Sequence, residues 1–252
     1  MTHRGALRST GEIRRMFDRI ARRYDLINRL MTFGRDVAWR RQAAREALVS
    51  SPRCVLDVAT GTADLALELA RQGAVRVIAL DFSLAMLRLA ARKRAATGRP
   101  LSLLCGDAMR LPFRDASLDA CTIAFGLRNL PDYRGALSEF ARVLRPGGRL
   151  VVLETTPLRG PLAPLLRLYF DRVVPWLGGL ISGDPDAYQY LPRSTAAFLP
   201  ADDLADLLRS VGFSPVIYRT FMLGAVALHI GVRAASPVEL AEAEAVTTQP
   251  SA

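Results

Sequence analysis

The sequence predicts an α/β chain with a doubly wound, mostly parallel sheet of seven strands, and three observations carry that expectation. An apolar run over residues 54–59 is broken by Thr60-Gly61-Thr62, and a helical pattern opens at Asp64. A second run, over 75–81, ends in Asp81, about twenty residues past that glycine. Strand and helix then keep alternating, and right-handed crossovers bring the ends of successive strands to one edge.

Taken in order, residues 1–50 form a basic, helical cap ahead of the first strand. Ile13, Met16, Phe17, Ile20, Tyr24, Ile27 and Leu30-Met31 recur at helical steps and give it one apolar face. Such a cap either lines a pocket over the strand ends or simply packs on the domain. Residues 51–233 form that domain. Ser83 is placed to cap a helix over 84–95, and a third strand, 101–105, runs into Gly106-Asp107-Ala108. A fourth strand spans 118–125 and a helix spans 132–144. Arg145-Pro-Gly-Gly148 then reads as a turn into a fifth strand, 149–154. From about 157 to 200 the alternation stops, and the Leu-rich stretch 162–180 reads as an inserted helix pair, either closing over the site or packing in the core. A helix over 201–211 and strands over 214–220 and 225–232 complete the sheet. The tail, 234–252, is rich in Ala, Glu, Thr and Pro and is expected to be disordered.

The strand–glycine–helix turn points to a nucleotide-like ligand, because Gly61 lets backbone approach where a Cβ would intrude. The turn is not G-x-G-x-x-G, since Ala59 and Asp64 stand at the outer glycine places. A pyrophosphate-bearing dinucleotide is therefore disfavoured. Asp81 is spaced to reach ribose hydroxyls, so a ribose-bearing ligand without phosphates fits better, and S-adenosylmethionine is the obvious one. Asp57 within the first strand and Phe82 just past the second join Gly61 and Asp81 as candidate cofactor residues.

Composition narrows the partners. A formal net charge of +10 suits a polyanion such as nucleic acid or an anionic membrane surface, although arginine spread this widely also fits a bias of genome composition. Cys54, Cys105 and Cys121 lie in or beside apolar runs without C-x-x-C spacing, so they are expected to be buried, reduced thiols. Only His3 and His229 are present, which argues against zinc, and no metal is expected. No secretory signal opens the chain and no stretch reaches the ~18 apolar residues of a membrane span. The expected place is the cytoplasm, soluble or peripheral on the membrane.

Five stretches carry a resemblance. They are Phe17-Asp-Arg-Ile-Ala-Arg-Arg-Tyr-Asp-Leu-Ile-Asn28 with Trp39, and Asp57-Val-Ala-Thr-Gly-Thr-Ala-Asp64. Ile123-Ala-Phe-Gly-Leu-Arg-Asn129, Arg142-Val-Leu-Arg-Pro-Gly-Gly148 with Glu154, and Ala227-Leu-His-Ile-Gly231 complete the set. With these motifs the chain resembles a class I S-adenosylmethionine-dependent methyltransferase. More closely, it is similar to the bacterial C-methyltransferases of menaquinone and ubiquinone biosynthesis, from about residue 17 to 233. The resemblance implies that Thr62 and Asp81 contact the cofactor, with Asp107-Ala108 beside the adenine where the family usually has Asn-Ala. Ala124 replaces a frequent serine, Asp36 a frequent histidine, Ile27 a methionine, and Thr156 the serine that often follows Glu154.

The implied reaction is C-methylation of a prenylated demethylquinol, demethylmenaquinol foremost, with a benzoquinol of ubiquinone biosynthesis as the alternative. Arg128, Asn129 and Tyr24 are the implied catalytic residues, and Tyr24, Asp25, Asn28, Arg128 and His229 the candidates for holding substrate. For Arg128 the competing reading is a structural salt bridge to Asp132 or Asp107; for His229 it is a satisfied core histidine. A bilayer-borne substrate gives the positive charge and the greasy stretch 161–181 a use as a contact with anionic lipid. No nucleic-acid partner is expected. The chain lacks an Asn/Asp-Pro-Pro-Tyr/Phe stretch, Cys121 lacks a proline neighbour, and no separate basic aromatic module is present. A catalytically silent binding protein is disfavoured by the intact Gly61, Asp81 and Arg128-Asn129. Quinol type, prenyl length and oligomeric state stay open at this level.

Overall fold

The computed structural model describes residues 5–159, 163–168, 172–173 and 184–235. Most of the expected insertion pair, the greasy stretch 161–181 and the tail beyond residue 235 lie outside the described residues. Helices α1 (Thr10–Met31) and α2 (Arg35–Leu48) precede β1 (Cys54–Val58). Then follow α3 (Asp64–Arg71), β2 (Arg76–Asp81), α4 (Leu84–Thr97), β3 (Ser102–Cys105), β4 (Leu118–Ala124), α5 (Tyr133–Val143) and β5 (Leu144–Thr155). The chain closes with α6 (Ala163–Leu168), α7 (Pro185–Ala197), α8 (Ala201–Ser210), β6 (Phe213–Phe221) and β7 (Val226–Arg233).

The seven strands form one sheet in the order β3-β2-β1-β4-β5-β7-β6. The five from β3 to β5 pair in parallel, while β7 runs antiparallel to both β5 and β6. The order reverses between β1 and β4, and a doubly wound sheet opens its ligand crevice at that point. Strands this central are covered on both faces, which explains their unbroken apolar runs. One face packs Leu56, Ile123 and Val152 against Leu137 and Phe140 of α5 and Leu204 and Leu208 of α8. The other packs Val55, Ala120 and Val151 against Ala43 of α2 and Ala66 and Leu69 of α3.

The structure divides the expected cap. α2 belongs to the sheet's helical layer, because Ala43, Ala44 and Ala47 are small enough to let it lie close against the strands and all three are fully buried. Only α1 lies away from that layer. A capping box at Ser9 and Glu12 starts it, and Ile13, Met16, Ile20, Ile27 and Met31 pack against Ala187 and Tyr190 of α7.

Two expectations are corrected. Arg145-Pro-Gly-Gly148 is not a turn before a separate strand but a bulge inside β5, since Leu118 pairs with Leu144 and Ala120 already pairs with Arg149. Gly148 is required there, because a Cβ would stand 2.7 Å from the Arg145 carbonyl oxygen. Cys105 is exposed rather than buried, because β3 is an edge strand; Cys121, in the central β4, is buried and its thiol is pushed up by desolvation.

Candidate active site

The turn after β1 is wound tightly. Ala59, Gly61 and Ala63 all have positive φ, and nothing lies within 4 Å of where a Cβ on Gly61 would point. The Gly61 N–H donates to Asp81 Oδ2 at 2.8 Å and the Ser83 N–H to Asp81 Oδ1 at 2.8 Å. Burial raises the Asp81 carboxyl, and these backbone N–H groups work against that rise. The acid is thereby fixed at the head of β2, on a crevice of about 700 Å³ that Gly61, Phe82, Asp107, Ala108 and Asn129 also line.

Asp57 sits beneath the turn. It accepts hydrogen bonds from Thr122 Oγ1 at 2.6 Å and Thr60 Oγ1 at 2.5 Å, and burial pushes its carboxyl up to about 6. With Thr62 it lines a small recess behind Gly61 rather than the main crevice. The Thr62 hydroxyl donates to Asp25 Oδ1 at 2.6 Å and accepts from Lys93 Nζ at 2.9 Å. Lys93 also pairs with Asp25 at 2.6 Å and Asp64 at 2.5 Å. Asp25 therefore pins α1 to the glycine turn, and it is not among the residues lining either large cavity.

A second cavity, of about 830 Å³, lies beyond the first, and Phe17, Tyr24 and Phe125 line both. Its apolar walls include Met16, Ile20, Met31, Trp39 and Val226, and its polar groups Tyr24, Asn28, Asp36, Arg40 and Arg128. Burial raises the Tyr24 hydroxyl above the usual phenol range, with Arg40, Arg128 and a hydrogen bond to Asn28 pulling the other way. The phenol thus remains a proton donor at neutral pH.

Phe125, just past β4, has φ +58°, and its carbonyl accepts Arg128 Nη1 at 2.8 Å and Asn129 Nδ2 at 3.3 Å. Gly126 makes the tight turn possible, since a Cβ there would stand 2.7 Å from Ala59 Cβ. Arg128 is buried and does form a salt bridge, though to neither acid expected: Nη1 meets Glu154 Oε1 of β5 at 2.6 Å. Asn129 Oδ1 accepts the Tyr190 hydroxyl of α7 at 3.1 Å. His229 is not brought to either cavity. Its Nε2 bonds to the Ala201 carbonyl at 2.8 Å, it stacks on Tyr218, and burial lowers it to about 4.

Sequence reading missed Arg40, which is buried, pairs with Asp36 Oδ2 at 2.5 Å and lies over the Phe125 ring. The signal was available in outline: an acid and a base four residues apart flanking Trp39 on a helix whose other face is alanine. Tyr190 carried no signal, since its partner is 61 residues away.

The sequence model of the ubiE/COQ5 methyltransferase family matches residues 6–233. The chain belongs to that family. It is 50% identical over 220 residues to a demethylmenaquinone methyltransferase of Thermus thermophilus, covering 86% of this chain and 100% of that protein. It is 48% identical to one of Deinococcus radiodurans, covering 87% of this chain and 91% of that one. Among solved structures, a S-adenosylmethionine-dependent methyltransferase of Thermotoga maritima superposes with a TM-score of 0.61 at 22% identity, over 86% of this chain and 98% of that one. The family membership bears out the expected class I methyltransferase fold and the expected enzyme class.

The residues present fit S-adenosylmethionine. The crevice offers a buried carboxylate at a ribose-reaching position, an open cradle over Gly61, and flat apolar flanks in Phe82 and Ala108. Among the described residues lining it there is no lysine or arginine for a phosphate chain.

Proposed function

We propose that this methyltransferase transfers the methyl group of S-adenosylmethionine to a ring carbon of a prenylated demethylquinol, demethylmenaquinol foremost. The observation that carries this reading is the pair of cavities sharing Tyr24 and Phe125, one of them suited to a nucleoside and the other mostly apolar. The names of the relatives above supply the quinol type.

When bound, S-adenosylmethionine supplies a methyl group already made electrophilic by its sulfonium. The chain's own task is therefore alignment and proton handling. Asp81 and Gly61 would hold the ribose, Phe82 and Ala108 would flank the adenine, and Asp107 would accept from its amino group. Met16, Ile20, Trp39 and Val226 would enclose the quinol ring and the start of its prenyl chain.

The ring carbon becomes nucleophilic as the neighbouring hydroxyl gives up its proton, and after methylation the carbon's own hydrogen leaves as a proton that restores the hydroxyl, so one proton is released per methyl transferred. Arg128 and Arg40 line the cavity with guanidinium N–H groups beyond those given to Glu154 and Asp36, and these favour the developing phenolate. Tyr24, held protonated, can donate to the same oxygen. Such assistance is worth about 10²–10⁴ in rate. Glu154 and Asp36 keep the resting cavity close to neutral, which limits the cost of burying two cations.

The test uses carbon-13-labelled S-adenosylmethionine with reduced, short-chain demethylnaphthoquinol and demethylbenzoquinol. A new ring C-methyl signal on the naphthoquinol is expected. An O-methyl signal, or none while the cofactor binds, would overturn the reading; equal labelling of both quinols would widen it to the ubiquinone pathway.

A further inference from the structure

Methylation of a quinol carbon requires a place for the hydroxyl proton to go, and the second cavity offers few. Arg40 and Arg128 have no lone pair that accepts a proton. Tyr24 keeps its own proton, because burial raises the phenol. The other polar groups there are neutral amides and hydroxyls. Asp36 is the sole carboxylate among the described residues that line this cavity.

The acids nearby are committed elsewhere. Glu154 Oε1 accepts from Arg128 Nη1 and the Thr155 N–H, its Oε2 accepts from the Arg128 N–H, and it does not line the cavity. Asp25 turns to Lys93 and Thr62. The buried Asp36, in the first turn of α2, is held differently. Its Oδ1 accepts from Thr32 Oγ1 at 3.1 Å and lies 3.4 Å from Arg29 Nε, while Oδ2 accepts from Arg40 Nη1 at 2.5 Å. A carboxylate has about four lone-pair positions, so one on Oδ2 is left for a ligand. Arg40 in turn lies 5.4 Å from the centroid of the Phe125 ring, and Phe125 lines both cavities. The carboxylate is thereby tied to the wall across which the methyl group passes. On its far side the Arg29 side chain is 47% exposed, which brings Oδ1 close to bulk water.

The geometry points to Asp36 as the general base of the reaction: its Oδ2 takes the proton of the quinol hydroxyl as the ring carbon attacks. The O–H electron pair moves into the ring, and the ring carbon takes the methyl group in a new C–C bond, the S–CH3 electrons staying on sulfur. The carbon's own hydrogen then leaves as a proton and restores the hydroxyl, while the proton on Asp36 passes to water on the Arg29 side. One proton is released per methyl transferred. Arg40 holds the base in place and favours the oxygen that the base deprotonates. The assignment rests on the quinol methylation proposed above.

The test compares wild type with Asp36→Asn on a reduced short-chain demethylnaphthoquinol and on its ring-fluorinated analogue, whose hydroxyls are more acidic. On the first, kcat should fall about 100-fold while the KM for quinol stays within about threefold. On the analogue the loss should shrink below about tenfold, because a hydroxyl that ionises readily needs less help from a base. A purely structural role for Asp36 would cost both substrates the same factor. Equal losses, or an unchanged kcat on the first substrate, would overturn the proposal. Calorimetry with S-adenosylhomocysteine checks the fold, and its affinity should not change. The single variant leaves Arg40 buried without its anion; if it does not fold, Asp36→Asn/Arg40→Gln removes both charges, and the same pair of losses is read on it. A wild type that binds cofactor yet methylates neither quinol would defeat the proposed function and the base with it. A wild type that methylates both, with equal losses in the variant, would defeat the base alone.

Discussion

The crevice at Asp81 is walled mainly by strand ends and the turns that leave them, whereas the cavity at Arg128 is walled by helices α1, α2 and α7 together with two turns. In the first, the key carboxylate is held by backbone N–H groups of Gly61 and Ser83. In the second, each charged group is held by another charged side chain, Arg40 by Asp36 and Arg128 by Glu154. Backbone-held sites survive single substitutions nearby, while ion-pair-held sites fail when one partner is removed.

The sharpest way to break the contrast is Glu154→Gln, which leaves the buried Arg128 without its anion. Chemical denaturation should show a loss of about 3–5 kcal/mol. Asp206→Asn, which breaks the exposed Arg209–Asp206 pair, should change stability by less than about 1 kcal/mol. Equal effects would show that burial does not distinguish the pairs.

Next comes pH. Burial raises Asp57 from 3.8 to about 6, so the folded state favours its protonated form. Its contribution is full below about pH 4 and is lost as pH rises through about 6, a swing of about 3 kcal/mol. Asp57→Asn should therefore gain stability relative to wild type between pH 4 and 7, as followed by thermal melting. His229 has the opposite sign, since a lowered value costs stability as pH falls from 6.5 through about 4. A His229→Gln variant should lose that part of the acid sensitivity.

Two substitutions then separate the cavities by function. Asp81→Ala should weaken S-adenosylmethionine binding by about 100-fold in calorimetry, or about 2.7 kcal/mol. Arg128→Lys keeps a cation beside Glu154, so it should bind cofactor normally while turnover falls by about 100-fold. The smallest effect belongs to the link between α1 and the glycine turn. Lys93→Met removes one cation from Asp25 and Asp64 and should cost about 1 kcal/mol or less in stability, with a modest rise in the KM for cofactor.

The sheet and its edge were legible because both rest on local pattern. Apolar runs marked the strands, and the interval from Gly61 to Asp81 marked the crevice. Ser83 was legible as a cap for the same reason, and its Oγ accepts from the Met86 N–H. The partner of Arg128 was not legible: Glu154 is 26 residues away, and only the parallel pairing of β4 with β5 brings it close. Asp25 looked like a substrate ligand because it adjoins Tyr24, yet neighbouring helical positions point about 100° apart and it turns to Lys93 instead. His229 posed the complementary problem. Alternation in β7 established that it faces one side of the sheet, and only the packing of α8 showed that this side is closed core.

In the function proposed above, cofactor and quinol occupy separate cavities that meet at Tyr24 and Phe125. A crystal structure with S-adenosylhomocysteine and a short-chain demethylnaphthoquinone bound together tests it most directly. The ribose is expected on Asp81 and the quinone ring among Tyr24, Arg40 and Arg128, with the sulfur facing the unmethylated ring carbon. A quinone stacked in the Asp81 crevice, or bound away from Tyr24, would contradict it.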